Sequence, residues 1–320
     1  VPPTVAAIVI NYNGREVVKA CIDSLLAQSR LPDEVFLIDN ASEDDTPERV
    51  RAWFPSVHVI RNERNLGFPA ACNVGIRRSR SDLVAILNND IVVEPTWLEN
   101  LLNHTSEPWS FWASRVVRTD RPEIIDSAGD GMAVIGAAFK IGHGRTFLHY
   151  QQNREVFGPS AAAALYRREL LEETEGFDED FFLIYEDADL NLRARLLGHR
   201  CLYVADAVVR HRINLSIGRF SKNYVYYGHR NSELVFWKNF PTRLLLQYLP
   251  ERLFFNALCL AYFAGHGRAG TFLRAKRDAF RQRDMIRSKR RQVLSAARIS
   301  PAELRHGLTR NWLRHRWKGW

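Results

Sequence analysis

"SDLVAILNNDIVVEPTWLENLL", residues 81–102, is the stretch whose reading decides the fold. Leu83 to Leu87 are five apolar residues in a row, with none of the polar alternation of a half-exposed strand. Such a run reads as a short strand buried on both faces. It breaks at Asn88, Asn89 and Asp90, and the apolar pattern resumes at Ile91. Burying an unpaired carboxylate is costly, so the strand must end at a rim where something meets Asp90.

Working outward, the same pattern repeats upstream. "TVAAIVI", "EVFLID" and "VHVIRN" read as strands, while "REVVKACIDSLLAQS", "DDTPERVRAWF" and "FPAACNVGIRRS" read as amphipathic helices. Apolar strands alternating with helices of this length predict an α/β fold: a Rossmann-like, mostly parallel sheet covered by helices on both faces. Ligands of such sheets bind at the carboxyl ends of the strands. Asn11 and Asn13 follow the first strand, Asp39 and Asn40 the second, Asn62 and Asn65 the third, and Asn88 and Asp90 the fourth. Each of these is also an ordinary turn former; it is their accumulation at four strand ends that suggests a site.

Downstream the signal weakens over residues 105–157, which read as strands and loops. From "GPSAAAALYRREL" onward it returns as a small-residue strand, a helix, a loop, a helix opening near Glu186 and a strand from Cys201. After Ser216 the chain reads as helical almost throughout. The opening segment, with no basic region ahead of its apolar run, reads as the first strand rather than a signal peptide. Cys21, Cys72, Cys201 and Cys259 show no C-x-x-C spacing, which predicts reduced thiols in a cytosolic setting.

The 320 residues carry a net charge of +9, unevenly distributed. Residues 268–320 hold 16 Lys and Arg against 3 acidic residues, a surplus of +13, which leaves −4 on residues 1–267. A nucleic-acid-binding core needs its positive potential on the docking face, so the basicity points to the tail alone. A protein that binds nucleic acid through that tail is the rival of a different class, and a steep salt dependence of RNA or DNA binding would reveal it. No G-x-x-x-x-G-K-[ST] segment is present, and "GDGMAVIG" lacks the G-x-G-x-x-G spacing, which argues against a kinase or a dehydrogenase.

Six ordered segments, "IVINYNG", "LIDNASEDDT", "NLGFPAACNVGI", "LNNDIVVEP", "GFDEDFFLIYEDADLNLRARLLGHR" and "VVRH", resemble a family 2 glycosyltransferase of the GT-A fold, in its bacterial rhamnosyltransferase-like branch. The resemblance covers roughly residues 5 to 240, and implies a GT-A domain over 1–240 followed by a helical, basic region over 241–320. It implies an inverting, metal-dependent transfer from a nucleoside diphosphate sugar, dTDP-L-rhamnose or alternatively a UDP-sugar, to a saccharide or polyprenyl-diphosphate-linked acceptor in cell-surface polysaccharide synthesis.

Residue by residue, the resemblance places Asn11, Asn13, Asp39, Asn65, Gly67, Asn73, Asn88 and Asn89 at the donor. Asp39 would accept from the pyrimidine ring, and Gly67 would let the backbone approach the nucleotide. Asn73 is either a donor contact or a hydrogen bond internal to the fold. The family's D-x-D segment matches Asn88-Asn89-Asp90, so Asp90 would hold Mn²⁺ or Mg²⁺. Asn88 departs from the family pattern by removing one charge. His211 would add an imidazole, which favours Mn²⁺.

Asp187 would be the general base, with Glu186 orienting the site or the acceptor. Three acidic residues opening a helix also favour its dipole. Arg193 and Arg195 read as a solvated helix face or as partners of the diphosphate. The Arg230-Asn231 pair belongs to the same branch without an evident role.

"LFFNALCLAYFAGHG" is 15 uncharged residues, short of the roughly 20 that cross a bilayer. It predicts a helix packed on the core or lying in a membrane interface. Basic helices ending in "RNWLRHRWKGW" resemble membrane-surface segments, with Trp312, Trp317 and Trp320 as anchors; a solvated helical bundle is the other reading. The membrane reading implies an anionic surface partner and a peripheral position on the inner face of the bacterial plasma membrane.

Overall fold

The computed structural model describes residues 2–212 and 221–313. The first part alternates β1 (Val5–Asn11), α1 (Val18–Leu26), β2 (Glu34–Asp39), α2 (Thr46–Trp53), β3 (His58–Arg61), α3 (Phe68–Arg78) and β4 (Leu83–Asn88). Next come β5 (Ile91–Val93), α4 (Trp97–Leu102), β6 (Trp109–Arg118), β7 (Ile125–Ser127), β8 (Asp130–Ala133), β9 (Ala138–Lys140) and β10 (Arg154–Val156). The site is completed by β11 (Ala163–Arg167), α5 (Arg168–Glu173), α6 (Glu186–Leu196) and β12 (Arg200–His211). The chain then turns helical, through α7 (Lys222–Asn239), α8 (Thr242–Gly265), α9 (Ala269–Arg281), α10 (Arg283–Ala296) and α11 (Pro301–His306), before the short β13 (Leu308–Thr309).

The main sheet runs β10-β12-β6-β11-β4-β1-β2-β3, with β5 paired to β12 and β7 to β6. Strands β1 to β4 pair in parallel. Beyond β4 the pairing is mixed, because β11 lies antiparallel to both β4 and β6 while β12 runs parallel to β6. The expected mostly parallel sheet therefore describes the N-terminal half only.

The uninterrupted apolar runs have a direct cause. Val5, Ala7, Val9, Val35, Leu37, Leu83, Ala85 and Leu87 pack into the cluster on one face, and Ala6, Ile8, Ile10, Phe36, Ile38, Val84 and Ile86 into the cluster on the other. Side chains alternate across a strand, so burial of both faces requires apolar residues at every position. The register aligns the polar ends, with Asn11 opposite Asp39, Asp39 opposite Arg61, and Ile10 opposite Asn88.

A third apolar cluster ties the C-terminal helices to the rest. Met132, Phe181, Leu192 and Leu196 share it with Phe236 of α7, Tyr248 and Phe255 of α8, Ile286 of α10 and Trp312. β13 extends β8 in parallel. The boundary expected at 240/241 falls in the turn between α7 and α8, yet the core crosses it without interruption. Trp312 is buried, with its ring 5.5 Å from that of Phe255, so it is a core residue and not a membrane anchor. Trp317 and Trp320 lie outside the described residues.

Candidate active site

At the rim of β1, β2 and β4 the polar side chains form one buried network. Asn11 donates to Asp39 Oδ1 at 2.8 Å and to Ser42 Oγ at 3.1 Å, and accepts from Asn89 Nδ2 at 2.7 Å. Gly14 lies against this chain of bonds: a Cβ there would stand 2.0 Å from Asn11 Oδ1 and 2.3 Å from Asn89 Nδ2. Donating twice and accepting from Asn89, the Asn11 side chain is a platform for Asp39 and Asn89. The backbone N–H of Ser42 also donates to Asp39 Oδ2 at 3.1 Å, and Arg61 Nε stands 3.7 Å from that oxygen. Asn13 joins through its backbone N–H, which donates to Ser42 Oγ at 2.9 Å.

The loop after β3 is held by Asn40. Its Nδ2 donates to Asn65 Oδ1 at 2.9 Å and its Oδ1 accepts from the Leu66 N–H at 2.9 Å. Gly67 has φ 84°, and a Cβ there would stand 2.5 Å from the Phe182 carbonyl oxygen. Gly67 thus lets the loop that precedes the acidic helix pack directly on the backbone. Asn73 is the internal hydrogen bond of its two readings: it donates to the Phe177 carbonyl at 2.8 Å and to Glu179 Oε1 at 2.9 Å, and accepts from the Phe177 N–H at 2.9 Å.

Asp90 lies where β4 gives way to β5. Antiparallel pairing of β5 with β12 sets His211 opposite Ile91, and the Arg212 N–H donates to the Asp90 carbonyl at 3.0 Å. His211 Nε2 is consequently 3.3 Å from Asp90 Oδ1, a buried oxygen that makes no hydrogen bond. The other ring nitrogen, Nδ1, lies 2.9 Å from Asp126 Oδ2 on β7. Burial opposes the imidazolium, but the negative charges of Asp126 and Asp90 beside it outweigh that and lift His211 to about 9. A proton thus fills the place that a cation between Asp90 and His211 would take, and an anionic oxygen beside an imidazole whose far nitrogen is fixed by a carboxylate is a donor set that fits a divalent metal.

Three acidic residues open α6, and each has a separate environment. Asp189 is fully buried, with Arg193 Nε at 2.8 Å, Lys238 Nζ at 2.6 Å and Asn239 Nδ2 at 2.7 Å. Asp187 accepts from the Ala188 N–H at 2.7 Å and the Ala161 N–H at 3.3 Å. Burial raises its carboxyl above the usual range against those two bonds and Lys140. Glu186 has a buried Oε2 with no hydrogen bond, and burial together with Asp187 pushes it up to about 8.

Arg193 and Arg195 are neither solvated nor placed on a ligand. Arg193 is buried and donates to the Thr174 and Gly176 carbonyls, while Arg195 pairs with Glu155 at 2.8 Å.

Several residues of the site carried no readable signal, because residues 105–157 have weak periodicity. Asp126 binds Lys140 Nζ at 2.8 Å as well as His211, and its carboxyl lies well below the usual range; burial works against this, and Lys140, His143 and His211 prevail. Asp130 accepts from Ser127 Oγ at 3.1 Å and is raised by burial and by Asp187. An aspartate isolated in an apolar context, as in "IIDSAGDG", is the one cue that the sequence offered.

The Arg230-Asn231 pair holds the approach to α6. Asn231 Nδ2 donates to the carbonyls of Phe181 at 2.9 Å, Leu183 at 2.8 Å and Ile184 at 2.6 Å. Arg230 donates to the Asp180 and Phe181 carbonyls, and its Nε to Asn231 Oδ1 at 2.8 Å.

A sheet rim carrying a buried polar network around Asp39, a carboxylate beside an imidazole at the end of the next strand, and an acidic helix start accompany the mixed sheet of a GT-A glycosyltransferase. A family model for glycosyl transferase family 2 matches residues 6–174, more than half of the chain, and the chain belongs to that family. It is 28% identical over 228 residues to the O-antigen biosynthesis protein RfbC of Myxococcus xanthus, covering 67% of this chain and 18% of that protein. It is 25% identical over 249 residues to the N-acetylglucosaminyl-diphospho-decaprenol L-rhamnosyltransferase of Mycobacterium tuberculosis, covering 70% of this chain and 81% of that one. Among solved structures, the mannosyltransferase PcManGT from Pyrobaculum calidifontis in complex with GDP-Man and Mn²⁺ superposes with a TM-score of 0.55 at 20% identity, over 99% of this chain and 88% of that chain. At that identity the likeness concerns the fold alone.

Proposed function

We propose that this glycosyltransferase moves L-rhamnose from dTDP-L-rhamnose, with inversion, onto a saccharide or a polyprenyl-diphosphate-linked saccharide of a cell-surface polysaccharide. The observation that carries the catalytic part is the pairing of two unlike acidic sites. Asp90 with His211 is a donor set that fits a divalent cation, and Asp187 is a buried carboxyl raised above its ordinary value. The mycobacterial relative, an N-acetylglucosaminyl-diphospho-decaprenol L-rhamnosyltransferase, supports rhamnose and a lipid-linked acceptor.

Asp90 and His211 would hold Mn²⁺ or Mg²⁺, whose charge, when bound, offsets that of the departing diphosphate. Among the described residues no group of three or more His, Cys, Asp or Glu side chains is arranged as a metal cage, as suits an ion that completes its shell with phosphate and water. Asp126 keeps the His211 ring oriented. Asp39, with Asn13, Asn65, Asn88 and Asn89 around it, lines the donor side.

Asp187 takes the proton of the acceptor hydroxyl as that oxygen bonds to the anomeric carbon. The bond from that carbon to the diphosphate oxygen breaks on the opposite face, and the anomeric configuration inverts. Glu186, protonated near neutral pH, is a hydrogen-bond donor that orients the acceptor.

The test is a donor screen that reads released nucleoside diphosphate in the presence of lipid-linked acceptor, with and without Mn²⁺. Metal-dependent turnover of dTDP-L-rhamnose is expected; turnover of UDP-sugars alone would reassign the donor, and metal-independent turnover would overturn the role of Asp90. A lipid-linked acceptor supports a peripheral position at an anionic membrane, on the inner face of the bacterial plasma membrane.

A further inference from the structure

Helix α8 is pinned by a buried ionic cluster. Arg252, on its inward face, pairs with Glu233 of α7 at 2.8 Å and donates to the Ile135 carbonyl at 2.7 Å. Lys276 of α9 binds the same Glu233 at 2.6 Å and Asn256 of α8 at 2.9 Å. Removing either partner from a buried pair strands a charge, so the helix cannot rotate about its axis at low cost.

The face thereby turned outward is apolar. Leu246, Leu253, Phe254 and Leu258 are exposed by 63%, 58%, 56% and 40%. Between Arg243 and His266 the polar residues that reach this side are exposed Gln247 and half-buried Glu251. Leu273 and Phe280 of α9 extend the surface, 52% and 68% exposed. They lie three residues before and four after Lys276, hence on the flank of α9 that faces α8. Exposed Arg274, Arg277, Arg281 and Arg283 border them, and Arg283 stacks on the Phe280 ring at 5.2 Å.

An isolated exposed leucine is ordinary, but a contiguous patch of this kind marks an interaction surface. We infer that the outer face of α8, with Leu273 and Phe280 of α9, docks in the interface of an anionic lipid bilayer. Charge complementarity selects this occupant: a fixed apolar face bordered by arginines matches a surface that is apolar in depth and negative at its headgroups. A second copy of the chain would bring the same positive border against it. No helix among the described residues is long and apolar enough to cross a membrane, so the contact is lateral. The inference rests on the proposed lipid-linked acceptor for its purpose and moves the anchor from the terminal tryptophans to α8 and α9.

Vesicle flotation of the full chain, without donor or acceptor, tests it independently of the sugar transferred. Wild type is expected to float with phosphatidylcholine vesicles containing phosphatidylglycerol, and weakly with phosphatidylcholine alone. Phe254→Glu with Leu258→Glu should reduce binding at least about tenfold at unchanged melting temperature, since these side chains are exposed. Arg277→Glu with Arg281→Glu should abolish the preference for the anionic lipid while leaving weak apolar binding. A folded Phe254→Glu/Leu258→Glu variant that floats like wild type overturns the inference. So does sedimentation showing a wild-type dimer that the same substitutions convert to monomer, which would make the face a contact between copies.

Discussion

The side-chain amide of Asn231 donates to the Ile184 carbonyl at 2.6 Å, two residues ahead of Glu186. Ile184 has φ 67°, and Phe182 and Tyr185 are left-handed too, at 61° and 76°. Left-handed backbone at a β-branched residue is a true outlier and costs about 1–3 kcal/mol per position. Asn231 and Arg230 are what hold that conformation, and the conformation delivers Asp187 to the cleft.

Replacing Asn231 by Ala should therefore act on catalysis more than on donor binding. A kcat lower by at least about tenfold, with nucleotide affinity within about twofold, is expected from a misplaced base. Stability should fall by about 1–3 kcal/mol, because buried carbonyls lose their donor. Steady-state kinetics beside calorimetry separates the two effects; a change confined to stability would make the residue purely structural.

Asp187→Asn keeps shape and removes the base. Turnover should drop by about 100-fold or more, while calorimetric affinity for the nucleoside diphosphate stays near wild type. Turnover close to wild type would reject Asp187 as the base.

For the metal, Asp90→Ala should weaken nucleoside diphosphate binding in the presence of Mn²⁺ and leave the metal-free affinity unchanged. Asp126→Asn touches no donor group, yet it should reduce Mn²⁺ affinity by about 10–100-fold, because it loosens the His211 ring. Titration of the ion itself in the presence of nucleotide gives both numbers. Equal affinity in Asp126→Asn and wild type would show that the His211 ring needs no such support.

Glu186 makes stability depend on pH. Its ordinary value is 4.5 and in the fold it is pushed up to about 8. As pH rises between these values the unfolded chain loses the proton that the fold retains, so stability is fullest below the lower value and declines until the upper one is passed. Glu186→Gln cannot titrate. Its melting temperature relative to wild type should be higher at about pH 9 than at about pH 5; a constant difference would place Glu186 in contact with water.

The sequence by itself determined the sheet that builds the site. Both faces of β1, β2 and β4 are buried, so every position had to be apolar and every strand end became visible as a break, at Asn11, Asp39 and Asn88. Asp90 was legible for the same reason, since a charge in apolar surroundings needs a partner, whereas His211 and the roles at the acidic opening of α6 were assigned through the family resemblance.

Only the tertiary structure decided which partner each polar group has. Asn11 and Asn73 are engaged by groups 28 and 104 residues away, and Arg193 by the Gly176 carbonyl 17 residues away, and no local pattern encodes a hydrogen bond across such a distance. Asp126 came from a stretch whose short strands and turns leave no period to read, and it reached His211 only because β7 pairs with β6 beside β12. The outward face of α8 was hidden likewise: fifteen uncharged residues look alike in sequence, and it is the buried Arg252–Glu233 pair that fixes which of them meet the core and which meet the solvent.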